Sequence, residues 1–192
     1  MKKISLLLLL GVFVIVLVAM GTPAGAGRSS RLSETSSPAV VMRTSSYALV
    51  GRPTISVRQI DHILCTAASP TCGTGADLYQ LGVTSGIDPI YALAFFEHES
   101  TFGKYGMARL TRSLGNIRCS AEYVCLDGYR AYASWQAGYA DWYRLIRVQY
   151  IGAWHLLTVA AIVRVYAPSS ENNTQGYIAA IETSVSAWRA AA

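Results

Sequence analysis

Acidic residues are scarce in this chain, 11 Asp and Glu among 192 residues, so chemistry that needs paired carboxylates has few places to sit. Histidine is scarcer still. His62, His98 and His155 do not cluster, and without an identifiable Ser-His-Asp or Cys-His arrangement, protease chemistry is a poor fit. Basic residues exceed acids, for a formal net charge of +5, yet Arg109, Arg112, Arg118 and Arg130 are dispersed and form no stripe. That argues against a nucleic-acid partner and leaves only a mild bias toward anionic polymers. No internal repeat is visible.

Cysteine is limited to four residues in two close pairs, Cys65 with Cys72 and Cys119 with Cys125. Four cysteines allow three pairings, and the local one closes two small loops without a long-range coincidence. An oxidising compartment favours it. A zinc site is the competing reading, but C-x6-C and C-x5-C are wider than the usual ligand knuckle. No metal or cofactor is expected.

The opening stretch, MKKISLLLLLGVFVIVLVAM, carries two lysines and then an uncharged apolar run, followed by GTPAGAG. It reads as an export signal over residues 1–26, cleaved after Ala26 at an A-x-A-like site. An uncleaved membrane anchor is the alternative, since a run of about 17 residues can span a bilayer. No cysteine adjoins the cleavage point, which disfavours a lipoprotein anchor. Lys2 and Lys3 are the only charges before Gly27, so the part that follows keeps +3 of the +5. Residues 27–53 are serine-rich without sustained periodicity and read as a flexible linker. Residues 54–192 suit one domain with one core.

Helical signals dominate that domain. Ser56 and Gln59 form a capping box for a helix toward Leu64. ADLYQLGV continues helically, and Asp88-Pro89 caps PIYALAFFEHES. Ser134 caps WQAGYADWYRLIRVQYI, LLTVAAIVRVY is apolar almost all round and should be buried, and a last helix runs from about Thr174 to Trp188. Residues 104–133 differ, with short alternating pieces and the turn signal Leu126-Asp127-Gly128. We expect there a small β or irregular lobe, held by Cys119 and Cys125. The fold expected is mainly α, a helical body with a small lobe and a cleft between them.

Two acids stand at the end of the third helix. Residues two apart on a helix point about 200° from one another, so Glu97 and Glu99 serve different faces. Glu99 shares its face with Ala92, Phe95 and Phe96. Apolar surroundings raise a carboxyl pKa, which a general acid at neutral pH requires. Glu99 ends the helix beside Ser100 and the turn to Gly103, where a side chain can emerge into a cleft, whereas Glu97 lies half a turn further in. An exposed helix-end charge is the plain alternative for either.

These residues resemble a known family. ALAFFEHESTFG resembles the A-x-x-x-x-E-S-x-[WF]-G stretch of the glucosaminidase group of lysozyme-like peptidoglycan hydrolases. That group is glycoside hydrolase family 73, the mannosyl-glycoprotein endo-β-N-acetylglucosaminidase-like domain. SLGNIRC, GYRAYASWQAGYADWYRLI and VYAPSSENNTQGYIAAI resemble three further segments in the same order. The likeness covers roughly Ile60 to Trp188, and the G-L-M-Q-type segment that usually follows E-S in lytic transglycosylases is missing.

The resemblance implies an α+β lysozyme-like fold and cleavage of β-1,4 glycosidic bonds in peptidoglycan or a related N-acetylglucosamine-containing glycan. Glu99 would protonate the leaving oxygen. A second carboxylate would act as base or nucleophile; in the lobe only Glu122 and Asp127 qualify, and Glu122 is the choice. The substrate's own acetamido group could replace it. Tyr166 and Tyr177 match tyrosines of the family's closing segment, Tyr123 lies beside Glu122, and Asn116 and Arg118 could bond sugar hydroxyls or acetamides or serve loop structure. Trp135, Trp142, Trp154 and Trp188 read as core. Asn172-Asn173-Thr174 is a glycosylation sequon in a eukaryotic setting. The expected protein is a secreted or cell-envelope monomer, an endo-β-N-acetylglucosaminidase, touching membrane only through its N-terminal segment if uncleaved. A muramidase, a transglycosylase or a non-catalytic wall-binding module are the other readings.

Overall fold

A computed structural model describes residues 47–192. The expected signal, residues 1–26, and the expected linker as far as residue 46 lie outside the described residues. The last part of that linker is packed chain. Ala48 bridges to Thr158, Val50 bridges to Ile87, and Leu49 is fully buried. The Leu49 N–H donates to the Leu157 carbonyl, and the Leu49 carbonyl accepts from the Asp88 N–H. One apolar side chain and its paired backbone therefore extend the domain upstream of residue 54.

The described residues are mainly helical, with one small sheet. Helix α1 (Val57–Thr66) starts at the reciprocal Ser56–Gln59 box. Helix α2 (Gly75–Ser85) ends on Gly86 in the left-handed conformation. Helix α3 (Pro89–Ser100) starts at Asp88, whose carboxylate accepts from the Ile90 N–H and from the Thr54 N–H and hydroxyl. Every residue of α3 from Pro89 to Phe96 is buried. It is the central helix, packed against α2 and against the last helix, α7 (Thr174–Ala190). Phe95 and Phe96 each approach the Trp142 ring to 5.3 Å, which places the aromatic core directly beneath the end of α3.

Residues 104–133 form the expected lobe, with more helix than the sequence suggests. Helix α4 (Gly106–Thr111) opens it, and a hairpin of β1 (Cys125–Leu126) and β2 (Tyr129–Arg130) closes it. Asp127 and Gly128, with φ of 49° and 80°, make the two-residue turn. The disulfides are Cys65–Cys72 and Cys119–Cys125, the local pairing. The first ties the end of α1 to the approach of α2, and the second ties the lobe loop to β1.

Two helices depart from expectation. The stretch after Ser134 winds as α5 (Trp135–Arg144) and then as a π-helix (Leu145–Ala153). Helix α6 (Val159–Tyr166), capped by Thr158, buries only one face, through Val159, Ile162 and Val163. Leu157 and Val165 stay exposed. Apolar composition alone overstated its burial, because α7 and the core behind it cover one face of the helix. No helix among the described residues is long and apolar enough to cross a membrane.

Candidate functional site

Helix α3 ends sharply. Thr101, Phe102 and Gly103 follow Glu99-Ser100 with φ of 49°, 56° and 76°, three left-handed residues in succession that no helix can continue. Buried Ser100 holds this turn: its hydroxyl donates to the Leu114 carbonyl at 2.9 Å and accepts from the Gly103 N–H at 2.8 Å. At Gly103 the positive φ disfavours any side chain, and a Cβ would sit 3.0 Å from the Trp135 ring. The E-S-x-F-G stretch is thus a local device that stops the helix and fastens it to the loop of residues 113–117.

Glu99 is the half-buried carboxyl at that stop. The Tyr177 hydroxyl donates to its Oε1 at 2.6 Å, and Asn116 Nδ2 donates to its Oε2 at 3.2 Å and to its backbone carbonyl at 2.8 Å. Burial pushes the Glu99 carboxyl above the usual range, against the Tyr177 and Asn116 hydrogen bonds and the Arg118 charge, which favour the carboxylate. The Tyr166 hydroxyl donates to the Gly115 carbonyl, and its ring meets Phe95 edge-on at 5.5 Å. Burial raises the Tyr166 and Tyr177 phenols well above their usual value, so both stay protonated donors.

Of the expected residues, Asn116 and Tyr177 contact the acid directly, and Tyr166 bonds the Gly115 carbonyl, adjacent in sequence to Asn116. Arg118 is exposed, stacked over the Tyr129 ring at 5.1 Å. Comparison with protein-family models, curated proteins and solved structures finds no match for this chain.

The lobe residues do different work. Tyr123 lies under the Arg130 guanidinium at 3.8 Å, and its hydroxyl donates to Asp141 at 3.2 Å. It belongs to a cluster that the sequence did not announce. Buried Asp141 on α5 accepts from Arg130 at 2.8 Å, from the Tyr132 hydroxyl at 2.5 Å and from Arg144 at 2.5 Å. With both oxygens engaged, Asp141 is an anchor for the lobe, and nothing in its spacing from Arg130 could have announced the pairing. Glu122 is exposed on the loop closed by Cys119–Cys125. Its own backbone N–H and the Ser120 hydroxyl hold its carboxyl below the usual range. Among the described residues no hydrogen bond or ion pair joins Glu122 to Glu99.

Next to Asn116 a groove of about 180 Å³ runs between the lobe and the π-helix, lined on one side by Asn116 and Arg118 and on the other by Gln149, Tyr150 and Trp154. Of the four tryptophans expected in the core, Trp142 is fully buried and Trp135 and Trp188 are half-buried, but Trp154 is 44% exposed on this groove. The π winding decides which wall it joins. An α-helix at about 100° per residue would set Trp154 some 180° from Leu145; the wider turn rotates less per residue and brings both to one wall.

His98 precedes Glu99 on the helix. It points away from Glu99 along the helix, yet its ring lies 3.9 Å from that of Tyr177. Burial holds its imidazole below the usual value, with the Glu97 charge opposing. Glu97 itself faces α7, where it accepts from the Ser184 hydroxyl at 2.5 Å. Both acids thus meet α7, Glu97 at Ser184 and Glu99 at Tyr177, seven residues apart on that helix. No group of three or more His, Cys, Asp or Glu that could hold a metal occurs among the described residues.

Proposed function

We propose that this chain is an exported glycosidase that cleaves β-1,4 bonds of peptidoglycan, with an endo-β-N-acetylglucosaminidase as the specific reading and Glu99 as the general acid. The observation that carries it is a carboxyl raised by burial, oriented by Tyr177 and Asn116, at a helix stop beside an aromatic-walled groove. A neutral carboxylic acid at working pH can give its proton to a glycosidic oxygen as the bond breaks, and Tyr177 steadies the carboxylate that remains. The ordered resemblance of four segments to the glucosaminidases supports the same chemistry, and the two disulfides are compatible with an oxidising compartment.

The positive charge left on the sugar needs a partner. Glu122, ionised and on the lobe, is the protein's candidate, and the substrate acetamido group is the other. Asp141 is unsuited, because releasing it would strand the buried Arg130 guanidinium.

Digestion of purified peptidoglycan, with mass spectrometry of the released reducing ends, tests the reading. Wild-type protein should release N-acetylglucosamine ends, and Glu99→Gln should lower the rate by about 10²–10⁴-fold. Muramic or anhydro-muramic ends would transfer the function to a muramidase or transglycosylase. If wild type binds the wall but frees no sugar, the chain is a binding module.

A further inference from the structure

The groove beside Glu99 is asymmetric in charge. Two guanidiniums, Arg118 and Arg130, line it, and no carboxylate does. Arg130 is committed: it pairs with Asp141 at 2.8 Å, donates to the Ser120 hydroxyl and the Arg118 carbonyl, and its side chain is 10% exposed. Arg118 is available. Its side chain is 74% exposed, and the nearest acid, Glu171, stands 4.0 Å away and is itself 66% exposed. A pair so long and so wet adds little, so a ligand anion can take the place of Glu171 at small cost. The opposite wall offers Trp154 with Tyr150 tilted behind it, ring centroids 4.9 Å apart. An exposed indole braced by a second ring suits the apolar face of a pyranose.

We propose that this groove selects a sugar bearing a carboxylate, the muramyl unit of the glycan, with Arg118 pairing the carboxylate and Trp154 carrying the ring. The inference rests on the peptidoglycan reading above and adds the residue that would distinguish that polymer from neutral N-acetylglucosamine chains. A guanidinium presents a planar fork that matches a carboxylate, whereas a neutral chain has no group that requires it. Asn116 lines the groove and bonds Glu99, which does not itself line it, so a sugar seated there lies one side chain from the acid. The carboxylate belongs either to the lactyl group or to the peptide stem attached to it.

Binding to the Glu99→Gln protein, measured calorimetrically, separates recognition from turnover. The probes are the N-acetylglucosamine–N-acetylmuramic acid disaccharide, its lactyl methyl ester, and the stem-bearing disaccharide with free or esterified stem carboxylates. The acid should bind about 10-fold tighter than its ester, as one charge-assisted contact predicts. Adding Arg118→Gln should reduce that ratio to about one, while Arg118→Lys should retain part of it. A preference confined to the stem-bearing pair assigns the carboxylate to the stem. Equal binding of acids and esters, a ratio unchanged by Arg118→Gln, or no binding of any probe would overturn the inference. Its failure is separable from that of the enzyme reading: wall digestion without acid preference defeats only this proposal, and acid preference without digestion defeats only the enzyme.

Discussion

At the scale of the residue, Glu99 links stability to pH. Its folded pKa is raised by burial, so the folded chain holds the proton more tightly than the unfolded chain does. That contribution is present at acid pH and is lost as pH rises from the ordinary carboxyl range through the raised value. Thermal melts of wild type and Glu99→Gln across this window should therefore diverge, the variant gaining relative stability with rising pH; parallel curves would mean that Glu99 titrates normally. The same shift should place the alkaline limb of the kcat/KM profile above the ordinary carboxyl range. Gly115 gives a second test. A Cβ there would lie 2.6 Å from Trp142 Cδ1 and 2.7 Å from the Tyr166 hydroxyl, so Gly115→Ala should cost about 1–3 kcal/mol by overpacking. Urea denaturation would measure it, and a loss of activity at full folding would show that Tyr166 had moved.

Among the elements, the lobe depends on α5. The hairpin itself is two residues on each strand, too short to stand alone. Its hold on the body is the buried Arg130–Asp141 pair, with Tyr132 and Tyr123 on the same carboxylate. Asp141→Ala strands the Arg130 charge and should cost about 3–5 kcal/mol, read as a lower urea midpoint. Burial and the Asp141 charge push the Tyr132 phenol far above its ordinary value, so Tyr132 remains a donor throughout the working range. A variant as stable as wild type would show that the backbone bonds of Arg130 to Ile117 and of Tyr132 to Thr111 hold the hairpin without the carboxylate.

Across the whole molecule, the first disulfide buttresses the site from the far side. Its short loop contains buried Ser69, whose hydroxyl donates to the Phe102 carbonyl at 2.7 Å, inside the turn that stops α3. Replacing Cys65 and Cys72 together by alanine should lower stability by about 2–3 kcal/mol, the chain-entropy value for a loop this small, measured in denaturant titrations of both proteins. If stability were unchanged, the Ser69 and Thr71 hydrogen bonds would suffice to keep the loop.

Local chemistry was legible in the sequence. The caps at Ser56, Asp88 and Ser134 were readable because a cap is decided within a few residues. The cysteine pairing was readable because the loops are short. The partners of Glu99 needed tertiary structure. Tyr177 lies 78 residues away and reaches the acid only because α7 packs on α3; the family resemblance pointed to this tyrosine without specifying its contact. Asp141 escaped notice because a buried ion pair leaves no periodic trace. Trp154 was misplaced because aromatic identity was read as burial, whereas the change to π winding after Arg144 sets that indole beside Leu145 on the groove wall, which only the tertiary structure decides.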